Sequence, residues 1–142
     1  MIGSTVAAFP ASESIGSRHW GEEVLLVLSP GKYTMKKLTT RAGEKGGLQY
    51  HRLKDEANYI VSGQLLLRYE DEHGVLQERL VGPDEWFHLP AGCVHQEEAI
   101  TDVVRIEVST PFFNDRVRVE EAFGKSVTWG LPTTDESDIE FR

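Results

Sequence analysis

An all-β fold, closed into a sandwich or barrel, is the fold class this chain predicts, and three observations point to it. Apolar residues come in runs of four to eight, enriched in Val, Leu, Ile, Tyr and Thr. Turn residues interrupt those runs at short, regular spacing. The count of about eight to ten strands suits a sandwich or barrel, in which closure also removes exposed sheet edges.

Residues 1–17 are rich in Ala, Ser and Gly and show no period, so they read as a loose or partner-covering arm. The strand at 24–28 stops at Ser29-Pro30-Gly31, and the one at 33–40 stops at Ala42-Gly43. Residues 58–61 end at Ser62-Gly63, and 64–70 end at a polar turn containing His73-Gly74. Runs at 75–81, 86–89, 103–108 and 117–119 complete the series. Only 119–125 can carry a helical turn or two. No internal repeat breaks this picture. The expected organisation is therefore an arm at 1–17, a barrel domain at 18–125 and an acidic tail at 126–142.

Composition limits the function. The 142 residues are 39% hydrophobic and 27% charged, as in an ordinary globular protein. No apolar run approaches the roughly 18–20 residues of a membrane span. Ala7-Ala8-Phe9-Pro10-Ala11 is too short, and too interrupted by proline, for a signal peptide. A cytoplasmic location is the expectation, and one cysteine, Cys93, fits a reducing compartment. A formal charge of −8 argues against nucleic acid and anionic membranes as partners. A small anionic molecule is still allowed, because a pocket can be positive inside an acidic protein.

The chemistry concentrates in two motifs. Gln49 and His51 are two residues apart, so on a strand they project from one face. Glu56 follows after a charged loop, and His95 emerges just beyond the tight-turn sequence Pro90-Ala91-Gly92. An amide, two imidazoles and a carboxylate can surround one divalent metal ion. Zinc comes first on this donor set, and manganese, iron, nickel and cobalt are compatible with it. Cys93 lies two residues from His95 but reads as a small buried hydrophobe, not as a ligand.

This arrangement resembles the cupin superfamily, whose first motif places six residues between its glutamate and a glycine, as Ala57 to Ser62 separate Glu56 from Gly63. The second motif, Pro-x-Gly-x-x-His, is matched at Pro90, Gly92 and His95. Gln49 in place of the usual first histidine is similar to the type II mannose-6-phosphate isomerases, with their Leu-Gln-x-His-x-x-Arg-x-Glu. Here Leu48 to Glu56 carries that pattern with Lys54 at the arginine. The likeness continues upstream at Tyr33, Lys36, Lys37 and Leu38, and downstream from Asp115 through Arg118 to Lys125. It covers roughly residues 19–125.

The resemblance implies a double-stranded β-helix (jelly-roll) barrel with one metal, a sugar or sugar phosphate as ligand, and a homodimer. It implies phosphate binding at Lys36, Lys54 and Arg118. Aldose–ketose isomerisation also needs a base near the metal. His88 is the weak candidate for it, with Glu97 and Glu98 as alternatives. Trp20, Tyr59, Trp86 and Phe87 are core residues first and pocket walls second. Ala57-Asn58 stands where the family has His-Trp, which keeps a non-catalytic carbohydrate-binding module open as the second reading. An iron-dependent dioxygenase comes third, since redox cupins generally rely on the histidine that Gln49 replaces.

Overall fold

The computed structural model describes residues 3, 6, 9–127 and 129–142. Two antiparallel sheets face one another. The first has the order β1-β2-β3-β10-β5-β8 and the second β11-β4-β9-β6-β7. Their strands are β1 (Glu13–Arg18), β2 (Gly21–Ser29), β3 (Tyr33–Thr40), β4 (Gln49–Tyr50), β5 (Glu56–Ser62), β6 (Leu65–Glu70), β7 (Leu76–Val81), β8 (Trp86–Leu89), β9 (His95–Ala99), β10 (Val103–Ser109) and β11 (Val117–Arg118). A single helical turn, α1 (Val119–Ala122), follows β11. Among the described residues no helix is long and apolar enough to cross a membrane.

Period-two alternation gives the two sheets a shared interior. Ile60, Leu65, Leu67, Val81, Ala99 and Val103 form one buried apolar cluster, with Tyr69 and Phe87 packed against it. Gly63 makes the turn from β5 to β6 at φ +90°, and a Cβ there would lie 2.0 Å from the Asp102 carbonyl oxygen. Only glycine fits both constraints.

Strand β10 reverses the expected pattern. Its buried residues are Val103, Arg105, Glu107 and Ser109, whereas Val104, Ile106 and Val108 are more exposed. Val103 apart, the apolar members of that strand therefore face outward. The inner face of the first sheet carries charge.

Near both termini, described residues pack against the barrel. Glu13–Arg18 is a strand paired with β2, and residues 1, 2, 4, 5, 7 and 8 of the expected arm lie outside the described residues. The C-terminal segment folds back on the barrel. Thr134 N–H donates to the Arg116 carbonyl (3.1 Å), Arg142 N–H to the Pro111 carbonyl (3.1 Å), and the Phe112 and Phe141 rings meet at 5.0 Å.

Candidate metal centre and cavity

Three of the four expected metal ligands converge. Nitrogen atoms of His51 and His95 and a carboxylate oxygen of Glu56 all lie within 4.8 Å of one another, and all three residues are buried. His51 Nε2 is 2.8 Å from Glu56 Oε1, and His95 Nε2 is 3.9 Å from the same oxygen. Gln49 lies directly opposite His95 in the β4–β9 register and lines the same cavity.

Both imidazoles are fixed in the tautomer that a metal needs. His51 Nδ1 donates to the Asp115 carbonyl (2.5 Å) and His95 Nδ1 to the Cys93 carbonyl (3.0 Å). A carbonyl can only accept, so each ring keeps its proton on Nδ1 and turns the Nε2 lone pair inward. Two lone pairs and an ionised carboxylate facing each other repel unless a cation or proton lies between them. The donor set fits a divalent metal ion.

Electrostatics support that state. For Glu56, burial alone would favour the neutral acid, but the Lys54 charge first, then hydrogen bonds with Glu107 and His51, outweigh it and hold the carboxyl well below the usual range. Burial lowers the His95 pKa against the opposing pull of Glu97 and Glu56, which favours the neutral, ligating ring. Lys54 lies 3.7 Å from Glu107 and 3.9 Å from Glu56. Burial works against its charge, yet those two carboxylates more than compensate and raise its pKa. Burial pushes Glu107 up to about 8, with Lys54 opposing and Glu56 reinforcing the shift.

Asp115 organises the loop that carries these ligands, a role its place in the sequence motif did not disclose. Its buried carboxylate accepts the backbone N–H groups of Arg52 (3.1 Å), Leu53 (2.7 Å) and Lys54 (2.9 Å). One residue thus holds both the loop and the His51 ring.

The three donors open into a cavity of about 630 Å³. Leu38, Leu65 and Ala99 give it an apolar floor, and Glu97, Arg105 and Glu107 give it charged walls. In β9 the inward positions are His95, Glu97 and Ala99, two residues apart. Glu98 faces the other way and pairs with Arg68 at 2.9 Å. Arg105 is held by Glu97 and by Asn58 Oδ1 (3.1 Å), while Asn58 Nδ2 donates to Glu56 (3.3 Å). Sequence reading passed over Arg105 and Glu107 because they alternate with Val104, Ile106 and Val108 in what looks like an ordinary half-buried strand.

The remaining candidates separate. Lys54 and Arg118 line the cavity. Lys36 does not; it is buried beside it, 3.2 Å from Glu23 and 3.9 Å from Glu107, with Nζ over the Phe113 ring. His88 lies on the exposed side of β8, hydrogen-bonded to Asp55 at 2.6 Å and away from the cavity lining. Trp20 lines the cavity and Phe87 packs on the core, but Tyr59 and Trp86 are exposed on the outer face, 41% and 66% respectively. Cys93 is half-buried and stands outside the ligand triad.

Solved structures share this architecture. The capsular polysaccharide assembling protein CapF from Staphylococcus aureus matches with a TM-score of 0.62 and 22% identity, over 72% of this chain and 28% of that one. KdgF from Halomonas sp. matches at 0.59 and 18%, over 68% and 84% of the two chains. Oxalate decarboxylase from Bacillus subtilis, a protein with Mn(II) centres, matches at 0.68 and 16%, over 87% and 39%. The fold is that of a cupin.

The cupin barrel here spans less than a third of CapF's length and most of KdgF's. No protein-family model matches the sequence, and no curated protein matches it either. The triad of His51, Glu56 and His95 lies inside the cupin barrel, between the two sheets.

Proposed function

We propose that this cupin holds one divalent metal ion on His51, Glu56 and His95, with Gln49 as the fourth donor, and acts on a sugar phosphate as an aldose–ketose isomerase. The observation that carries the reading is the paired tautomer: both rings anchored through Nδ1, both Nε2 atoms turned toward one carboxylate. A divalent ion held by His51, Glu56 and His95 would supply Lewis acidity toward a substrate oxygen. Manganese, held by the oxalate decarboxylase above, joins zinc among the metals to test.

The rest falls to the chain's own residues. Asp115 keeps the ligand loop and the His51 ring in place. The proton moved between C1 and C2 requires a group in the cavity, and Glu97 and Glu107 stand there whereas His88 does not. Leu38, Leu65 and Ala99 keep water from the cavity floor. A coupled assay converting mannose 6-phosphate to fructose 6-phosphate, run with zinc and with manganese, tests the reading. Turnover that vanishes in His51→Ala is expected. Failure of wild type to exceed that variant on any sugar phosphate in a panel sinks it.

A specific observation favours the second reading, a non-catalytic binder. Glu97 is paired with Arg105, and Glu107 lies within 4 Å of both Lys36 and Lys54, so each candidate base is already engaged. Saturable binding of the sugar phosphate to metal-loaded protein, with no product formed, selects this alternative. The homodimer expected from the resemblance is supported by the apolar outer face of Tyr59, Val61, Trp86 and Val108. Light scattering showing a monomer at assay concentrations removes it.

A further inference from the structure

Glu56 gives its two carboxylate oxygens to different neighbours. Oε1 faces both imidazoles, 2.8 Å from His51 Nε2 and 3.9 Å from His95 Nε2, with Lys54 Nζ also at 3.9 Å. Oε2 instead accepts a side-chain N–H of Asn58 at 3.3 Å. The two residues lie two apart on β5, so the pleat puts both side chains on the inner face. Glu107 also hydrogen-bonds to the Glu56 carboxyl, and is itself 3.9 Å from Lys36 and 3.7 Å from Lys54. Asn58 is completely buried. A buried amide costs free energy unless its two ends find partners.

Both ends of this amide are matched. Its Oδ1 accepts from Arg105 Nη1 at 3.1 Å, and Arg105 is paired in turn with Glu97. Glu97 stands on β9 in the second sheet, whereas Arg105, Asn58 and Glu56 belong to β10 and β5 in the first. One run of polar contacts therefore crosses from sheet to sheet and ends on the ligand carboxylate. Chemistry sets its direction. A guanidinium only donates and an ionised carboxylate only accepts, so the amide must turn its oxygen to Arg105 and its N–H to Glu56. Flipping the amide would set N–H against N–H at one end and oxygen against oxygen at the other. Arg105, 9% exposed and tied to Glu97, has little freedom to let that happen.

We infer that Asn58 is a positioning residue for the metal centre: held by Arg105 and Glu97, it occupies Glu56 Oε2 and leaves Oε1 alone to the divalent ion. This role rests on the metal reading above and deepens it. A carboxylate that gives one oxygen instead of two leaves a further position on the ion for a ligand oxygen. Asn58 does not line the cavity, so it acts only through Glu56. Glu97 and Arg105 do line it, and they aim the metal ligand from a distance.

The experiment measures zinc affinity by chelator competition and the visible absorption of cobalt(II)-loaded protein. Asn58→Leu keeps the branched shape and removes both hydrogen bonds. Arg105→Met removes the donor to Asn58, whereas Arg105→Lys retains one. Ile60→Ala, on the same strand, controls for lost stability alone. Zinc binding is expected to be about tenfold or more weaker in Asn58→Leu. It should also weaken in Arg105→Met, and stay near wild type in Arg105→Lys and Ile60→Ala. The double variant Asn58→Leu/Arg105→Met should bind zinc no more weakly than Asn58→Leu, because the arginine acts through the amide. The cobalt absorption of Asn58→Leu should change in intensity, since the released Oε2 can reach the ion. Equal zinc affinity with an unchanged cobalt spectrum in Asn58→Leu overturns the role, and so do additive losses in the double variant. If Asn58→Leu fails to fold, Arg105→Met compared with Arg105→Lys decides, and equal affinity with equal spectra overturns it. Wild type that takes up neither metal sinks the metal reading and this role with it. Wild type that takes up both, matched by Asn58→Leu, sinks this role alone.

Discussion

The two ends of this barrel are built from the same strands and follow opposite rules. At one end β5, β6, β9 and β10 contribute Ile60, Leu65, Ala99 and Val103 to an apolar cluster. Toward the other end the same β5, β9 and β10 turn Glu56, Asn58, His95, Glu97, Arg105 and Glu107 inward. Stability is concentrated where side chains need nothing but one another. Chemistry is concentrated where each side chain needs a particular partner. A few residues along one strand suffice to pass from one regime to the other.

Substitutions at the two ends should separate fold from function, and the largest effect belongs to the apolar end. Ile60 is completely buried, so Ile60→Ala should cost about 2–5 kcal/mol in denaturant unfolding. The folded fraction should still take up metal. Loss of metal affinity in fully folded Ile60→Ala would show that the two ends are not independent.

Next comes the residue that joins the regimes. Asp115→Ala removes the acceptor of three backbone N–H groups and should cost about 2–3 kcal/mol, with metal binding about 10–100-fold weaker. Calorimetric titration of metal into refolded variant and wild type checks both halves. At the polar end itself, His95→Gln should abolish tight metal binding while shifting metal-free stability by less than about 1 kcal/mol. It removes a lone pair aimed at Glu56 and supplies an amide that can donate there. A severe loss of metal-free stability would mean that the polar end carries the fold after all.

The smallest effect lies outside both ends. Asp71 clamps the β6–β7 turn by accepting N–H groups of His73 (2.8 Å) and Val75 (3.0 Å) and the Gln77 side-chain amide (2.9 Å). The Val75 bond first, then the Gln77 bond, lower its pKa. A carboxyl with a lowered folded pKa stabilises above its unfolded value of about 3.8, and that contribution disappears as pH falls through the folded one. Asp71→Asn should therefore melt slightly below wild type at pH 7 and alongside it in strong acid. A gap that persists at pH 2 would exclude ionisation as the cause.

The sequence disclosed the strands that alternate in the usual sense. Residues 33–40 and 86–89 match β3 and β8 at both ends, and β5, β6, β7 and β10 agree to within a residue or two. It did not disclose β1, whose Glu-Ser-Ile-Gly-Ser-Arg has no apolar period because it is an edge strand. Nor did it disclose β9, where Gln96-Glu97-Glu98 looks like loop until the cavity explains why an inward glutamate is tolerated. The convergence of His51, Glu56 and His95 was legible from their spacing together with the cupin pattern they resemble. Arg105 and Glu107 were not, since alternation reveals which residues share a face but not which face turns inward.

Strand β9 therefore works as a two-sided template. Gln96 and Glu98 tie its outer side to Arg68, at 3.3 and 2.9 Å, independently of what points inward. Inserting a single amino acid before His95 would exchange the sides, handing the imidazole to bulk water and drawing a tethering residue into the lumen. Swapping only the inward letters would leave the scaffold's stitching untouched, so new reactivity could be written into this barrel one alternate position at a time.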